Sequence, residues 1–490
     1  MPRFTEGSRL PDGPGHRKIG AMLKRDGKMS CSEKKPRAAR RVGLCLLGLV
    51  AAAAIVRGIA GSLSASRFEA SQARMEGAGR YTRAADLWKP IPPEENAAIL
   101  WEEMRERATS PIDVEEMLAD KPDLVERAGA APHSLSPEEK ALFAGFADRN
   151  REFLDSLRRT AERPRYAWLS QDPRRPYHEW EGPGLAGCMV RYRVLFAAAA
   201  VAASEGRSEE GVDLWLLGVR SARHFVREPF STLHFFFGLM VQGMATAGVN
   251  AVFMDQPVET DALQAAIRAL DPADLWEKWI EVLDKERLGQ LEMCREVVEG
   301  KATFLSLLGD EEAFAWRHRG QKLLFWAVRP LLQWDLAKMQ EEEIEHIDRL
   351  RNAGRKWGLG GGALGGEASE KTFPFWRILS REMGWRALPQ AGTKVAVTEA
   401  RIRIARLALA CRAWRNDHGA WPASLDDLAP GCIETVPADP FTGRDFVYRV
   451  QDDGFVLYSV GRNGRDDEGS AEGDADDLAF RHTERPGRPR

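Results

Sequence analysis

The chain has 490 residues, of which 29% are charged and 44% hydrophobic, and a formal net charge of −3. That length predicts two or three folded units rather than one core. The near-neutral balance argues against a dedicated nucleic-acid binder, whose domains are strongly basic. The six cysteines, Cys31, Cys45, Cys188, Cys294, Cys411 and Cys432, form no Cys-x-x-Cys pair, which argues against a zinc site or a thioredoxin-like motif.

Residues 1–41 are polar and rich in Gly, Pro, Lys and Arg, and read as a disordered basic segment. Lys34, Lys35, Arg37, Arg40 and Arg41 close it, and an apolar run from Val42 to Leu63 follows, broken only by Arg57. The run meets the roughly 20 residues that a bilayer requires, with Arg57 reaching toward the interface. Positive charge before it predicts a cytoplasmic N-terminus and a periplasmic or otherwise extracytoplasmic body, held by a single span in the cytoplasmic membrane. A cleaved signal peptide competes, through the small-x-small sites Ala60-Gly61-Ser62 and Ser64-Ala65-Ser66 and an alternative start at Met29.

Residues 64–352 read as an extracytoplasmic helical domain, bundled or repeat-like. Ser136-Pro137-Glu138-Glu139 is a capping box that predicts a helix running to about Arg163. Gly182-Pro183-Gly184 breaks the chain, and Leu185–Ser204 with Glu209–Val226 predicts a helical hairpin across Glu205-Gly206-Arg207, similar to a tetratricopeptide packing unit. Leu233–Met254 has no charged residue and reads either as a second span or, given Gln242, Thr246 and Asn250 at helical spacing, as a buried helix. Thr260 and Asp271-Pro272 mark helix starts, followed by helices over Leu275–Val298 and Phe325–Leu350. Glu343-x-x-His346 is half of a di-iron motif without its second half, and with Glu341, Glu342 and Glu345 reads as a solvated helix face. No His-Glu-x-x-His, Gly-x-Ser-x-Gly or Walker loop is present.

Residues 353–392 form a Gly-rich linker (Gly354–Gly366) and an aromatic connector (Phe373–Leu388). Residues 393–480 form a small α+β domain, and residues 481–490 a basic tail. Val395–Asn416 predicts an amphipathic helix with Ile402, Ala405, Leu409 and Ala413 facing the core and Arg401, Arg403, Arg406, Arg412 and Arg415 facing water. Ser424 caps a short turn. Phe446–Val450 and Gly454–Val460 alternate as an antiparallel hairpin. Cys411 and Cys432 lie within this domain and read either as a disulfide or as buried free thiols. The whole is a mainly α chain ending in a long helix packed on a small sheet.

Four motifs stand in order in this last domain: His418-Gly419-Ala420-Trp421-Pro422, Pro437-Ala438-Asp439-Pro440-Phe441-Thr442-Gly443, Tyr458-Ser459-Val460-Gly461-Arg462-Asn463-Gly464 and Gly473-Asp474-Ala475-Asp476-Asp477. Over Ala400–Phe480 the chain resembles the globular domain of the major (G-type) pseudopilin of type II secretion systems. The resemblance does not extend to the N-terminus, where Val42–Val56 has no Glu and no prepilin-peptidase site precedes it. It implies a calcium ion held by the Leu457 and Val460 carbonyls and the side chains of Asn463, Asp474 and Asp476 or Asp477, a donor set suited to a hard cation. It also implies a non-enzymatic role among secretion-system or other envelope proteins. A helical scaffold capped by the C-terminal domain is the alternative, and an extracytoplasmic hydrolase a third.

Overall fold

The computed structural model describes residues 35–83, 86, 91–107, 123–167, 185–270, 274–299, 318–353, 388–451, 454–470 and 476–483. The breaks at Gly182-Pro183-Gly184 and Asp271-Pro272, the Gly354–Gly366 linker and nearly all of the Phe373–Leu388 connector lie outside them. The chain divides into two units, Met1–Gly58 and Ile59–Arg490. It is mainly helical, with one three-stranded antiparallel sheet.

In the first unit the helix α1 (Lys35–Gly77) begins, with Leu47, Leu49, Val50, Ile55 and Val56 all exposed. The described apolar part, from Leu47 onward, is long and apolar enough to cross a membrane.

The second unit opens with the rest of α1, followed by α2 (Ala97–Arg107), α3 (Leu124–Ala130), α4 (Pro137–Phe143), α5 (Phe146–Arg149) and α6 (Arg151–Glu162). Ser136 and Glu139 form the capping box expected at the start of α4, but the helix stops at Phe143 rather than near Arg163. Gly145 takes a left-handed φ of 68° between α4 and α5, and Asn150 (φ −110°, ψ 22°) separates α5 from α6, so the predicted helix is broken into three.

The predicted hairpin is α7 (Ala186–Ser204) and α8 (Ser208–Arg227), turning at Gly206 with φ 85°. Gly211 brings α8 close to α7, because a Cβ there would lie 2.7 Å from the Ala199 carbonyl oxygen. Small residues thus draw two backbones together and leave Ala197–Ala203 fully buried.

Helix α9 (Thr232–Ala247) and a π-helical turn at Asn250–Met254 cover the stretch without charges. Its hydrophobicity is used inside the body: Phe235, Phe237, Val241 and Ala245 are buried, and the Trp215 indole N–H donates to the Ala245 carbonyl at 3.0 Å. An aromatic cluster joins it to the hairpin, with Phe225 edge-on to both Trp101 (4.8 Å) and Phe237 (4.9 Å).

Helices α10 (Thr260–Ala269), α11 (Leu275–Glu299) and α12 (His318–Ala353) follow. The Asp274 carboxylate caps α11 by accepting from the Glu277 N–H at 3.1 Å. α12 runs parallel to the end of α1 in one register, with Ser64 donating to Gln333 at 3.2 Å and Ser71 to Gln340 at 2.9 Å. Glu341 accepts from Arg67 and Arg74, and Arg80 pairs with Asp348. The glutamate run is therefore not a solvated face throughout: Glu341 is half-buried against α1 and Glu343 is buried. Leu291, Cys294 and Val298 of α11 form a small apolar cluster with Leu332, Leu336 and Met339 of α12.

The last helix, α13 (Leu388–His418), packs on one side against α9, α10 and α11 and on another against the sheet. Its burial is not one stripe: Ile402, Ile404, Ala405 and Leu407–Cys411 are all buried. Its arginines do not all face water. Arg403 pairs with Glu399 and donates to the Ala438 carbonyl, Arg412 donates to the Gln256 carbonyl at 3.3 Å, and Arg415 lies over the Trp421 ring at 4.4 Å. The sheet orders β1 (Val447–Gln451), β2 (Gly454–Ser459) and β3 (Leu478–Thr483), with β2 central. Cys188, Cys294, Cys411 and Cys432 are buried free thiols, so Cys411 and Cys432 are not paired.

Candidate functional site

The C-terminal motifs meet around the end of β2. Asp439 is the hub, buried in the Pro-Ala-Asp-Pro loop. One of its oxygens accepts from the Phe441 N–H at 2.9 Å and the other from the Ser459 hydroxyl at 2.9 Å. The loop closes on itself through Asp439 N–H to the Arg444 carbonyl (2.7 Å) and Gly443 N–H to the Asp439 carbonyl (2.8 Å). Burial pushes the Asp439 carboxyl above its ordinary range, against the hydrogen bonds that favour the charged form.

The first motif reaches the same sheet by another route. Gly419, with φ 76°, ends α13, and Trp421 packs edge-on to Phe455 at 4.9 Å and to His482 at 5.5 Å. The Tyr448 hydroxyl donates to the Pro422 carbonyl at 3.1 Å.

The acidic loop between β2 and β3 is laced by its own carboxylates. Asp476 accepts from the N–H groups of Arg462 (3.1 Å) and Asn463 (3.2 Å). Gly461, with φ 63°, lets the backbone come against the Asp476 carbonyl. Oδ2 of Asp477 accepts from Asp467 N–H (3.0 Å) and Gly469 N–H (2.8 Å). Its Oδ1 is buried with no hydrogen-bond partner among the described residues. Burial raises the Asp477 carboxyl, and the nearby Asp467 and Asp466 charges raise it further. Asp466 is held low by the Tyr458 hydroxyl (2.8 Å), and that phenol is pushed up to about 12 by burial and the same contact.

Of the predicted calcium ligands, Asn463, Asp476 and Asp477 share this loop, and Val460 begins it. Leu457 lies inside β2, opposite Tyr448 and Phe480. Asp474 lies outside the described residues. Among the described residues, no three His, Cys, Asp or Glu side chains converge as a metal centre by themselves. The buried Asp477 Oδ1 fits a cation, which would satisfy it as no described donor does. Tyr458 opens the third motif, but its bond to Asp466, which ties the strand to the loop, is not signalled by the sequence.

A second concavity, of about 640 Å³, opens in the helical body between Tyr166, Arg227–Phe230 and the α11 residues Glu277–Leu288. Several of its charges are mutually paired: Arg165 with Glu228 (2.8 Å), and Lys278 and Lys285 with Glu281 (2.9 and 2.6 Å). Behind it, burial lowers His224 to about 4 and His234 to about 3, so both imidazoles are neutral near pH 7. Nothing in the sequence announces this cleft, because its walls come from stretches scattered along the chain between Tyr81 and Arg351. Compared with known proteins, the chain matches no family model, no curated protein and no solved structure.

Proposed function

We propose that the chain is a membrane-anchored protein of the bacterial envelope, with its N-terminus cytoplasmic and its body extracytoplasmic. Its residues 393–480 form a pseudopilin-G-like module with a structural or interaction role in secretion or in the envelope. The observation that carries this reading is the bond between Asp439 and Ser459. Each belongs to a different motif of the resemblance, and a chance assortment of motifs has no reason to converge on one buried carboxylate. The long apolar part of α1 supports the anchor.

β1 offers an edge of the sheet for partners, with Val450 49% exposed. A photo-crosslinking residue at Val450 of the full chain, activated in cells, should give adducts with other envelope proteins. Absence of protein adducts from this strand would overturn the interaction role of the module.

The calcium reading belongs to the same proposal and rests on the buried Asp477 Oδ1. Titrating calcium into the detergent-solubilised chain should raise Tm in a concentration-dependent manner. Asp477→Asn should abolish that rise, and a flat response to millimolar calcium ends the metal reading.

A second reading has its own support. Because α13 packs on both the sheet and the helical body, the module also serves as a cap on a repeat-like protein-binding scaffold. In that case the adducts come from a probe at Glu209 on α8 and not from Val450.

A further inference from the structure

Helices α8 and α10 lie against each other, and their C-terminal halves enclose a small hollow of about 200 Å³, walled by Arg220, Arg223, Arg227, Ala265, Arg268 and Ala269. Arg220, Arg223 and Arg227 follow at three- and four-residue spacing, so they stand along one face of α8. Arg268 joins them from α10, where Ala265 and Ala269 keep the wall low and the space open. Among the described residues no carboxylate stands in the wall. In a chain of net charge −3 this is a local reversal of sign.

Ordinary structural duties account for part of this cluster. Arg227 and Arg268 lie in the last turns of their helices, where a cation complements the carbonyl end. Arg223 is half-buried and donates to the Arg163 carbonyl, just beyond α6, at 3.2 Å. Arg220 has neither duty. It lies two turns before the end of α8, is exposed, and, like Arg268, makes no hydrogen bond or ion pair among the described residues. Exposed arginines elsewhere in the helical body are answered by acids three residues away: Arg151 by Asp148, Arg158 by Asp155, Arg207 by Glu210. Around Arg220 the same spacing brings only Leu217 and another cation, Arg223. The buried His224 feels that field, since after burial itself the Arg223 charge is the largest cause that lowers it.

We propose that this hollow is an anion site for a phosphomonoester or diphosphate group, held between Arg220 and Arg268. The planar guanidinium fork matches phosphate oxygens two at a time. A single carboxylate would answer one of the two cations, whereas a phosphomonoester carries about 1.5 to 2 negative charges near pH 7 and answers both. The hollow is smaller than the pockets of about 300–1,000 Å³ that enclose whole small molecules. It therefore takes the charged group and leaves the carrier outside, whether that carrier is a soluble phosphate ester or a lipid headgroup. The 640 Å³ cleft that Arg227 also borders lacks this bias, because its Arg165, Lys278 and Lys285 are paired with Glu228 and Glu281.

Titration calorimetry on the detergent-solubilised full chain tests the site, with inorganic pyrophosphate, dihexanoyl phosphatidic acid and acetate as probes. Pyrophosphate or the lipid should bind at least about tenfold more tightly than acetate, and Arg220→Gln combined with Arg268→Gln should weaken that binding by a similar factor. Arg158→Gln, which removes an exposed arginine of α6, should leave it unchanged. Arg220 and Arg268 are both exposed, so the double variant should melt with the parent. If it does not, Arg220→Gln alone carries the test, with a severalfold loss expected. Tighter binding of pyrophosphate than of the lipid assigns the site to a soluble phosphate, and the reverse order assigns it to a headgroup. No binding of either at millimolar concentration, equal binding of acetate, or an affinity untouched by the Arg220 and Arg268 substitutions would overturn the site.

Discussion

Gly461 and Asp439 are the two residues whose replacement should hurt the C-terminal module most. Gly461 combines a left-handed φ with close approach to the Asp476 carbonyl, so Gly461→Ala is strained in two ways. A loss of about 1–3 kcal/mol is expected in urea unfolding, and a loss below that range would mean the loop relaxes freely. Asp439→Ala removes the acceptor of the Phe441 N–H and the Ser459 hydroxyl, and should cost about 1–3 kcal/mol. Asp439→Asn keeps an acceptor for Phe441 and should cost less. His224 and His234 set the acid response. Their folded pKa values, about 4 and about 3, lie below the ordinary 6.5, so their contribution is complete above pH 6.5. As pH falls below 6.5 the unfolded chain takes up protons first, and stability declines toward pH 4. Tm should follow that slope, and His234→Phe should flatten it. An unchanged slope in that variant would assign the acid limb to other groups. Asp439 and Asp477, whose carboxyls are raised, act in the opposite sense, losing stability as pH rises from the ordinary carboxylate value through their folded one. The motif residues were legible one by one because Gly, Pro and Asp at turns declare their backbone role. Their mutual bonding was not, since nothing in sequence joins Asp439 to Ser459.

Among the elements, the α7/α8 hairpin shows most directly how local sequence becomes packing. Its boundaries follow from an Ala-rich run, a Glu-Gly-Arg turn and an acidic first turn, all of them local signals. What the sequence left open is how close the helices lie. Gly211 answers that, and Gly211→Val should drive a branched side chain into the Ala199 carbonyl, costing about 1–3 kcal/mol by thermal or urea unfolding. A neutral result would show that the two helices can separate without penalty. Other elements depart from the sequence expectation for reasons of partnership. The helix expected to reach Arg163 is interrupted because Gly145 favours a left-handed turn over continued propensity. The third strand, β3, runs on into residues 481–483, which the sequence predicts as basic tail: its inward residues Phe480 and His482 are too few to announce a strand before β2 is known to need a neighbour. The arginines of α13 looked solvent-facing because its second partner, the helical body, cannot be seen from periodicity alone.

For the whole molecule, α13 decides the cooperativity. One hydrophobic cluster runs from Ala97 in α2 through Val395–Ala413 to Phe480 in β3, with no apolar break between the helical body and the sheet. Calorimetry of the detergent-solubilised chain should therefore show the body and the C-terminal module melting together. A separate transition removed by Asp439→Ala would show that they unfold independently. The four buried thiols give that question a clock. Cys188 in α7, Cys294 between α11 and α12, Cys411 in α13 and Cys432 beyond it all have their acidity suppressed by burial, so each is inert until its own neighbourhood opens. Alkylation rates at the four sites would thus time the opening of four regions in one experiment. In an oxidising compartment the same arrangement becomes a race, because a chain that buries its sulfurs late exposes them to wrong disulfides that the finished fold would never permit.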